Sequence, residues 1–232
     1  MTPDDQPIDD RALEELVEQS QDSQSDAMRA TREPLSHLVE MGRERRAAGG
    51  FDADETHRFR TERRRLMRTS LVAGGALAAY GFGAALLRLL ETPAFADQAL
   101  DLQMLQTSAS LENTAVAAYE AALGLPFVGG DAANATVKAF VTTTKDQHAQ
   151  HATAFNDAVI KLGGKAQPGP NPVLLGVVTT AKSTLTDVGK VVGLAITLET
   201  GATQTYQNNV AALSDANAKS VTASIMGVEA QH

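Results

Sequence analysis

Two pairs of matching segments in the second half of the chain constrain its fold more than any other feature. The segments "LENTAVAAY" (111–119) and "LETGATQTY" (198–206) share Leu, Glu and Tyr at an offset of 87 residues. Each is followed by a tetrapeptide that ends in Ala-Gln-His, "HAQH" (148–151) after the first and "EAQH" (229–232) after the second. The same order of segments twice predicts a duplicated unit of two helices. The fold must therefore pack two such units around one core.

Apolar residues recur at spacings of three and four from about residue 97 onward, which is typical of helices, and no alternation typical of strands occurs there. The predicted helices run from about Gln98 to Leu123, from an N-cap at Asp131 to Gly163-Gly164, from about Val173 to Leu213 with an interruption near Asp187-Val188-Gly189, and from Ser214-Asp215 to the chain end. A Pro- and Gly-rich stretch, "KAQPGPNP", separates the second helix from the third. Two helical hairpins joined by one long crossover predict an all-α four-helix bundle over 97–232. A candidate ligand at the very end of a short last helix leads us to expect that the natural chain continues or that the gene product is truncated.

Polar residues interrupt the apolar stripes of these helices at matching places. Glu112 is expected to share a face with Leu105, Ala109, Ala115, Val116 and Tyr119, and Glu199 with Val192, Ile196, Ala202 and Tyr206. A lone carboxylate buried there would cost several kcal/mol or become protonated, so each needs a partner. We expect Tyr119 and Tyr206, two turns from the glutamates, to be hydrogen-bonded bundle residues; a radical role or support of the metal ligands is the alternative.

The two tetrapeptides supply the candidate partners. A three-residue separation puts His148 and His151 on one helix face, and Glu229 and His232 on another. The chain contains no cysteine, so a metal would have to use oxygen and imidazole nitrogen ligands. The predicted metal ligands are Glu112, His148, His151, Glu199, Glu229 and His232. A direct hydrogen-bonded network of His and Glu without metal is the competing solution.

The N-terminal part of the chain has a different composition. All thirteen arginines lie at or before Arg88 and all seven lysines at or after Lys138. Residues 63–96 combine a basic cluster, an apolar stretch rich in Gly and Ala, and Ala94-Phe95-Ala96, which is the layout of an export signal. Its "RRRLM" resembles a twin-arginine motif, with Arg63 and Arg64 as the pair. An uncleaved membrane anchor over 69–87 is the alternative.

Both a cleaved signal and an uncleaved anchor predict that 97–232 lies outside the cytoplasm, because the arginines keep the N-terminal side of the segment in the cytoplasm. Residues 1–62 are predicted to be a cytoplasmic extension, mostly disordered or loosely helical. The expected partners are then the twin-arginine export machinery and the membrane, during export or as anchor. The net charge of −8 and the absence of tryptophan argue against nucleic acid.

With these motifs the chain resembles the ferritin-like proteins, in particular the exported bacterial ferritin-like domain proteins grouped with desiccation-related proteins. The resemblance covers about 97–232. It implies iron, as a di-iron or mono-iron centre, or manganese, with Glu112 and His151 on one metal, Glu199 and His232 on the other, and Glu229 as a bridge. The family pattern has glutamate where this chain has His148. That departure favours one metal or an asymmetric pair over a symmetric di-iron centre.

Three functions follow as hypotheses. The first is an exported metal-binding bundle, with ferroxidase or peroxide-consuming activity as an open question. The second is a metal-free structural or stress-related envelope protein that keeps the fold. The third is an anchored sensor or partner-binding protein whose activity lies in the cytoplasmic residues 1–62. A monomer or homodimer is expected rather than a storage cage.

Overall fold

The computed structural model describes residues 9–47, 98–131 and 133–232, and every regular element in these ranges is a helix. The elements are α1 (Asp10–Ala30), α2 (Arg32–Ala47), α3 (Gln98–Leu123), α4 (Pro126–Gly129), α5 (Ala135–Lys161), α6 (Pro172–Ala181), a 3-10 turn (Lys182–Thr184), α7 (Val188–Ala212) and α8 (Ala216–Glu229). The predicted all-α helical bundle is confirmed. The predicted signal or anchor at 63–96 lies outside the described residues. Within the described ranges, no helix is both long and apolar enough to cross a membrane.

Side-chain caps set the boundaries of the bundle helices. Asn134 precedes α5 and accepts from the backbone N–H groups of Thr136 and Val137. The predicted N-cap at Asp131 was therefore wrong, because the short helix α4 and a turn occupy the chain before Asn134. At the other end of α5, Gly163 has a φ of +86°, a left-handed conformation that glycine adopts without strain.

The third predicted helix is interrupted where expected. It consists of α6, the 3-10 turn and α7, and the Asp187 side chain caps α7 by accepting from the Lys190 N–H. The apolar face predicted around Glu199 was wrong in part. Val192 and Ile196 are 47% and 59% exposed, whereas Val191, Thr205 and Tyr206 are buried. The buried side of α7 is thus rotated away from the predicted one.

The last helix is shorter than predicted. α8 begins after Asp215, whose carboxylate accepts from the N–H groups of Asn217 and Ala218, and it ends at Glu229. Beyond Glu229 the hydrogen bonding tightens: Gln231 N–H donates to the Val228 carbonyl three residues back. The prediction of a helix that runs to the chain end was wrong by one turn.

The helices pair as two hairpins, α3 with α5 and α7 with α8, and α3 also contacts α7 as α5 contacts α8. The crossover between the hairpins is fixed to the first one by side chains. Asn113 Nδ2 donates to the carbonyl of Gln167, and Asn156 accepts from the Gln167 N–H. Asn171, at the start of α6, donates its N–H to Thr114 Oγ1. These bonds set where α7 re-enters the bundle.

Two apolar clusters fill the interior. The larger one combines Leu105, Phe155 and Ile225 from three bundle helices with Leu35 and Leu38 of α2. The smaller one, around Val128, Val137, Val141 and Val191, also includes Tyr119. Removal of these side chains from water provides the main favourable free energy of folding.

The N-terminal helices pack on the bundle, which differs from the predicted disordered or loosely helical extension. α1 contacts α5 and α8, and α2 contacts the same two helices. α1 begins after Asp9, whose carboxylate accepts from the Ala12 N–H. Its inward positions follow a spacing of three and four: Leu13, Val17, Ser20, Gln24, Ala27 and Thr31. This seam explains why residues 10–30 form a helix that needs the bundle as its partner.

Candidate metal centre

All six predicted ligands come together in the middle of the bundle. Glu112 lies on α3, His148 and His151 on α5, Glu199 on α7 and Glu229 on α8, while His232 lies in the turn after α8. All six side chains are almost completely buried; that of Glu199 is the most exposed, at 7%. Burial of three carboxylates and three imidazoles at one point requires mutual compensation of charge.

The side chains form two groups whose ligand atoms lie within 4.8 Å of one another. One group is Glu112, His148, His151 and Glu229; the other is His148, Glu199, Glu229 and His232. The two matching hairpins are called repeats below: α3 with α5 is the first repeat, and α7 with α8 and the turn after it is the second. His148 and Glu229, which hold equivalent positions in them, belong to both groups. Glu112 and His151 complete one group, and Glu199 and His232, which stand at the matching sequence positions, complete the other.

His148 occupies the centre between the two groups. Its Nδ1 lies 2.8 Å from Glu112 Oε2, and its Nε2 lies 3.1 Å from Glu199 Oε1. Burial disfavours a charged imidazole, but the neighbouring carboxylates outweigh it and raise the pKa of His148 well above its usual range. The imidazolium thus bonds one carboxylate from each repeat.

Proton affinities elsewhere in the cluster follow the same logic. Burial opposes ionisation of Glu112, yet the charge of His151 and the hydrogen bond from His148 hold its pKa at about 2. Burial also opposes the charged form of His151, but the charges and hydrogen bonds of Glu112 and Glu229 outweigh it and raise the pKa of His151 to about 9. Burial and the Glu112 charge raise the pKa of Glu229. Protons therefore supply the positive charge that a metal ion would otherwise supply.

The tyrosines cross between the repeats. Tyr119 donates to Glu199 Oε1 and Tyr206 donates to Glu112 Oε1, each at 2.6 Å. Each hydroxyl of one repeat therefore holds the glutamate of the other. The predicted role of these tyrosines as hydrogen-bonded bundle residues agrees with these contacts.

Residues that sequence reasoning missed lie around the histidines. Gln24 Oε1 is 2.7 Å from His151 Nε2, and Gln147 Oε1 is 2.7 Å from His232 Nε2. Ser20 Oγ donates to the same Gln147 oxygen at 2.9 Å. The available signal was polar residues on the inward seam of α1, at Ser20 and Gln24, which a solvated helix would not need there.

Two buried atoms in the cluster have no hydrogen-bond partner, namely Glu229 Oε2 and His232 Nδ1. His232 Nδ1 lies 3.7 Å from Glu199 Oε2 and 3.8 Å from Glu229 Oε1. Unpartnered buried donors and acceptors are costly, and a cation between these atoms would use both lone pairs. The imidazole and carboxylate set suits iron, manganese or zinc. The residues present therefore fit a divalent metal.

A cavity of about 100 Å³ opens beside the carboxylates, between α3, α6 and α7. Glu112, His148 and Glu199 form its polar end, and Leu174 of α6 is one of its apolar walls. Its volume admits a molecule of a few heavy atoms.

A helical bundle with inward glutamates and histidines belongs to the class of helical proteins whose core side chains can hold divalent metal ions. The family model described as "Ferritin-like domain" matches residues 71–232, about 70% of the chain. The chain belongs to this ferritin-like domain family. Comparison with curated proteins and with solved structures gave no match.

Proposed function

We propose that the protein binds a redox-active divalent metal, iron or manganese, between its four bundle helices. The observation that carries this proposal is the buried, unpartnered pair Glu229 Oε2 and His232 Nδ1 inside a cluster of oxygen and nitrogen ligands. Glu112 and His151 would hold metal on one side and Glu199 and His232 on the other, with Glu229 shared. His148 favours one ion or an asymmetric pair, because it already bonds Glu112 and Glu199.

Ferroxidase or peroxide-consuming chemistry is the activity that this site would suit best. A bound iron would supply electron transfer to a small oxidant. The chain would supply an apolar cavity of matching size beside the carboxylates and tyrosine hydroxyls that fix the orientation of Glu112 and Glu199. The site lies away from bulk water, which favours retention of a reactive metal.

A metal-free structural role is the second candidate, and one specific observation favours it. His148 and His151 already satisfy Glu112, Glu199 and one oxygen of Glu229 through direct hydrogen bonds. A satisfied polar network of this kind can fix helix register without any ion. In that case the protein would keep the fold as an envelope or stress-related component.

Metal analysis of the purified full chain separates these two functions. After incubation with Fe(II) without oxygen and removal of excess ion, we expect stoichiometric iron in the wild-type protein. Glu112→Gln and His151→Ala should lose it, while Glu120→Gln, an exposed position on the same helix as Glu112, should keep it. Circular dichroism checks that each variant folds. Wild-type protein that retains no iron or manganese would favour the structural role.

Export across the membrane stays a prediction, and the fold adds a condition to it. Cleavage after Ala96, or an anchor that left residues 1–62 in the cytoplasm, would separate α1 and α2 from the bundle that they contact. N-terminal sequencing of protein from each cell fraction tests this. A mature chain that starts near residue 97 would support export and remove those contacts, whereas an intact Met1 on the same chain as the bundle would argue against cleavage.

A further inference from the structure

Helix α1 approaches the metal ligands with two side chains on one face. Ser20 and Gln24 lie four residues apart, one helical turn, and are 4% and 5% exposed. Both belong to the seam through which α1 packs on α5 and α8. Buried polar groups in a helix seam cost free energy unless they make specific bonds, so their partners indicate what they do.

The amide of Gln24 bonds one neighbour through each of its two polar atoms. Its Nε2 donates to Gln150 Oε1 at 3.2 Å, which leaves Oε1 to face His151 Nε2 at 2.7 Å. An amide oxygen only accepts hydrogen bonds, so His151 Nε2 must carry hydrogen. The ring nitrogen left for a metal is then Nδ1, which lies 2.7 Å from Glu229 Oε1 and 3.6 Å from Glu112 Oε2.

His232 is oriented in the same way through one intermediate. Its Nε2 faces Gln147 Oε1 at 2.7 Å, and that oxygen also accepts the hydroxyl of Ser20 at 2.9 Å. An oxygen has two lone pairs, so both bonds form together. His232 Nδ1 is left without a partner and is directed at Glu199 and Glu229. α1 therefore reaches one histidine of each repeat, directly or through Gln147.

From these contacts we infer that α1 is a built-in part of the metal site: Gln24, and Ser20 through Gln147, are positioning residues that hold His151 and His232 with Nε2–H outward and Nδ1 toward the metal. This inference rests on the proposed metal-binding function and deepens it. Outer hydrogen bonds of this kind fix ring orientation and raise ligand basicity, and their loss lowers metal affinity by roughly 10- to 100-fold. Any process that removes the segment containing α1 would weaken the site by the same route.

Mn(II) titration of the full chain, followed by electron paramagnetic resonance, tests the effect on affinity. Gln24→Leu keeps the side-chain volume but removes the acceptor, so its dissociation constant should rise by roughly 10- to 100-fold. Gln24→Glu restores an oxygen acceptor and should recover most of the affinity. Gln21→Leu, one turn away on the exposed face of α1, should bind as wild type. Melting curves must show that all three variants fold.

Nitrogen-15 spectra of the metal-free chain supply a readout that needs no metal. The His151 Nε2 proton should exchange slowly with water in wild type and in Gln24→Glu, and rapidly in Gln24→Leu. A merely structural role of Gln24 would leave this proton unaffected as long as the helix stays docked.

Wild-type protein that binds Mn(II) while Gln24→Leu binds equally well, or a His151 that carries hydrogen only on Nδ1, would overturn this inference alone. A wild-type chain that binds neither Mn(II) nor Fe(II) would overturn the proposed function and this inference together. The two failures are therefore distinguishable in one set of measurements.

Discussion

The two repeats contribute matching candidate ligands, but they differ in the length of the helices that carry these residues and in the number of their hydrogen-bond partners. In the first repeat, α3 and α5 have 26 and 27 residues, and both ring nitrogens of the candidate ligands His148 and His151 have hydrogen-bond partners. In the second, α8 has 14 residues and ends at Glu229, and His232 lies beyond it with an unpartnered Nδ1. The candidate ligands of the two repeats are thus chemically alike, while the packing that holds them differs.

The second repeat compensates for its short helix with polar contacts to the first. Asp101 of α3 accepts from the N–H groups of Ser214 and Asp215 and from the Ser214 hydroxyl, each at 2.8 Å. These bonds fix the turn that starts α8, and therefore the position from which Glu229 reaches the centre. The start of α8 is thus held against α3 of the first repeat by hydrogen bonds.

The largest effect should come from Glu229, because its carboxylate belongs to both groups. We expect Glu229→Gln to lower Mn(II) affinity more than the roughly 10- to 100-fold that loss of an outer partner causes. His232→Ala should weaken only the second group and leave a residual site. Equilibrium dialysis measures both, with exposed Gln231→Ala as the control. Comparable losses in Glu229→Gln and His232→Ala would show that the two groups do not share Glu229.

The next effect concerns the number of metal ions. His148→Glu replaces an imidazole that bonds Glu112 and Glu199 by a carboxylate that can bridge, so the two groups become chemically alike. We expect the iron content to rise to two ions per chain. His148→Gln, which also lacks the imidazole but carries no charge, should not reach two. If His148→Glu binds no more iron than wild type, the asymmetry has its origin in the second repeat.

A third effect is the pH dependence of stability without metal. His151 has a pKa of about 9 in the fold against 6.5 in the unfolded chain, so its contribution is complete below pH 6.5 and is lost as pH rises through 9. Glu112 has a pKa of about 2 in the fold against 4.5 in the unfolded chain. Its contribution to stability is therefore complete above pH 4.5 and is lost as pH falls through 2. Urea unfolding of metal-free protein should show greatest stability between about pH 4.5 and 6.5. The alkaline loss, on the order of a few kcal/mol, should be smaller in His151→Gln, in which only His148, whose pKa is also raised, keeps its contribution.

Much of the bundle could be predicted from the sequence because its signals are local or periodic. The bounds of α3 follow from spacing, and the break before α7 follows from Asp187 and Gly189. The convergence of Glu112 and Glu199 follows from the repeat, since equivalent positions of two packed hairpins must meet. The contribution of α1 could not be predicted this way. Gln24 and His151 are 127 residues apart in the chain. A polar residue in a helix with few apolar residues is expected to face solvent as long as the surface on which the helix packs is unknown.

Two errors of the sequence prediction fall in the second repeat, where packing overrides pattern. Val192 and Ile196 have the right spacing to be buried beside Glu199, but they are exposed because the buried side of α7 runs through Val191, Thr205 and Tyr206. Likewise, no residue type near Glu229 marks a helix end, and the tightening of the last turn depends on backbone bonds alone. The export signal, the compartment and the metal stay predictions.

The smallest effect should separate the repeats through their tyrosines. Tyr206→Phe removes the bond to Glu112, whose side chain is 1% exposed, and Tyr119→Phe removes the bond to Glu199, which is 7% exposed. Loss of a hydrogen bond to a buried charged group costs about 1 to 3 kcal/mol, and less where water can replace the hydroxyl. Tyr206→Phe should therefore lower the free energy of unfolding of the metal-free chain more than Tyr119→Phe, measured in urea at one pH. Equal losses of unfolding free energy would mean that water reaches neither glutamate more easily than the other. A larger loss in Tyr119→Phe would mean that Glu199 of the second repeat depends more on its tyrosine than Glu112 does.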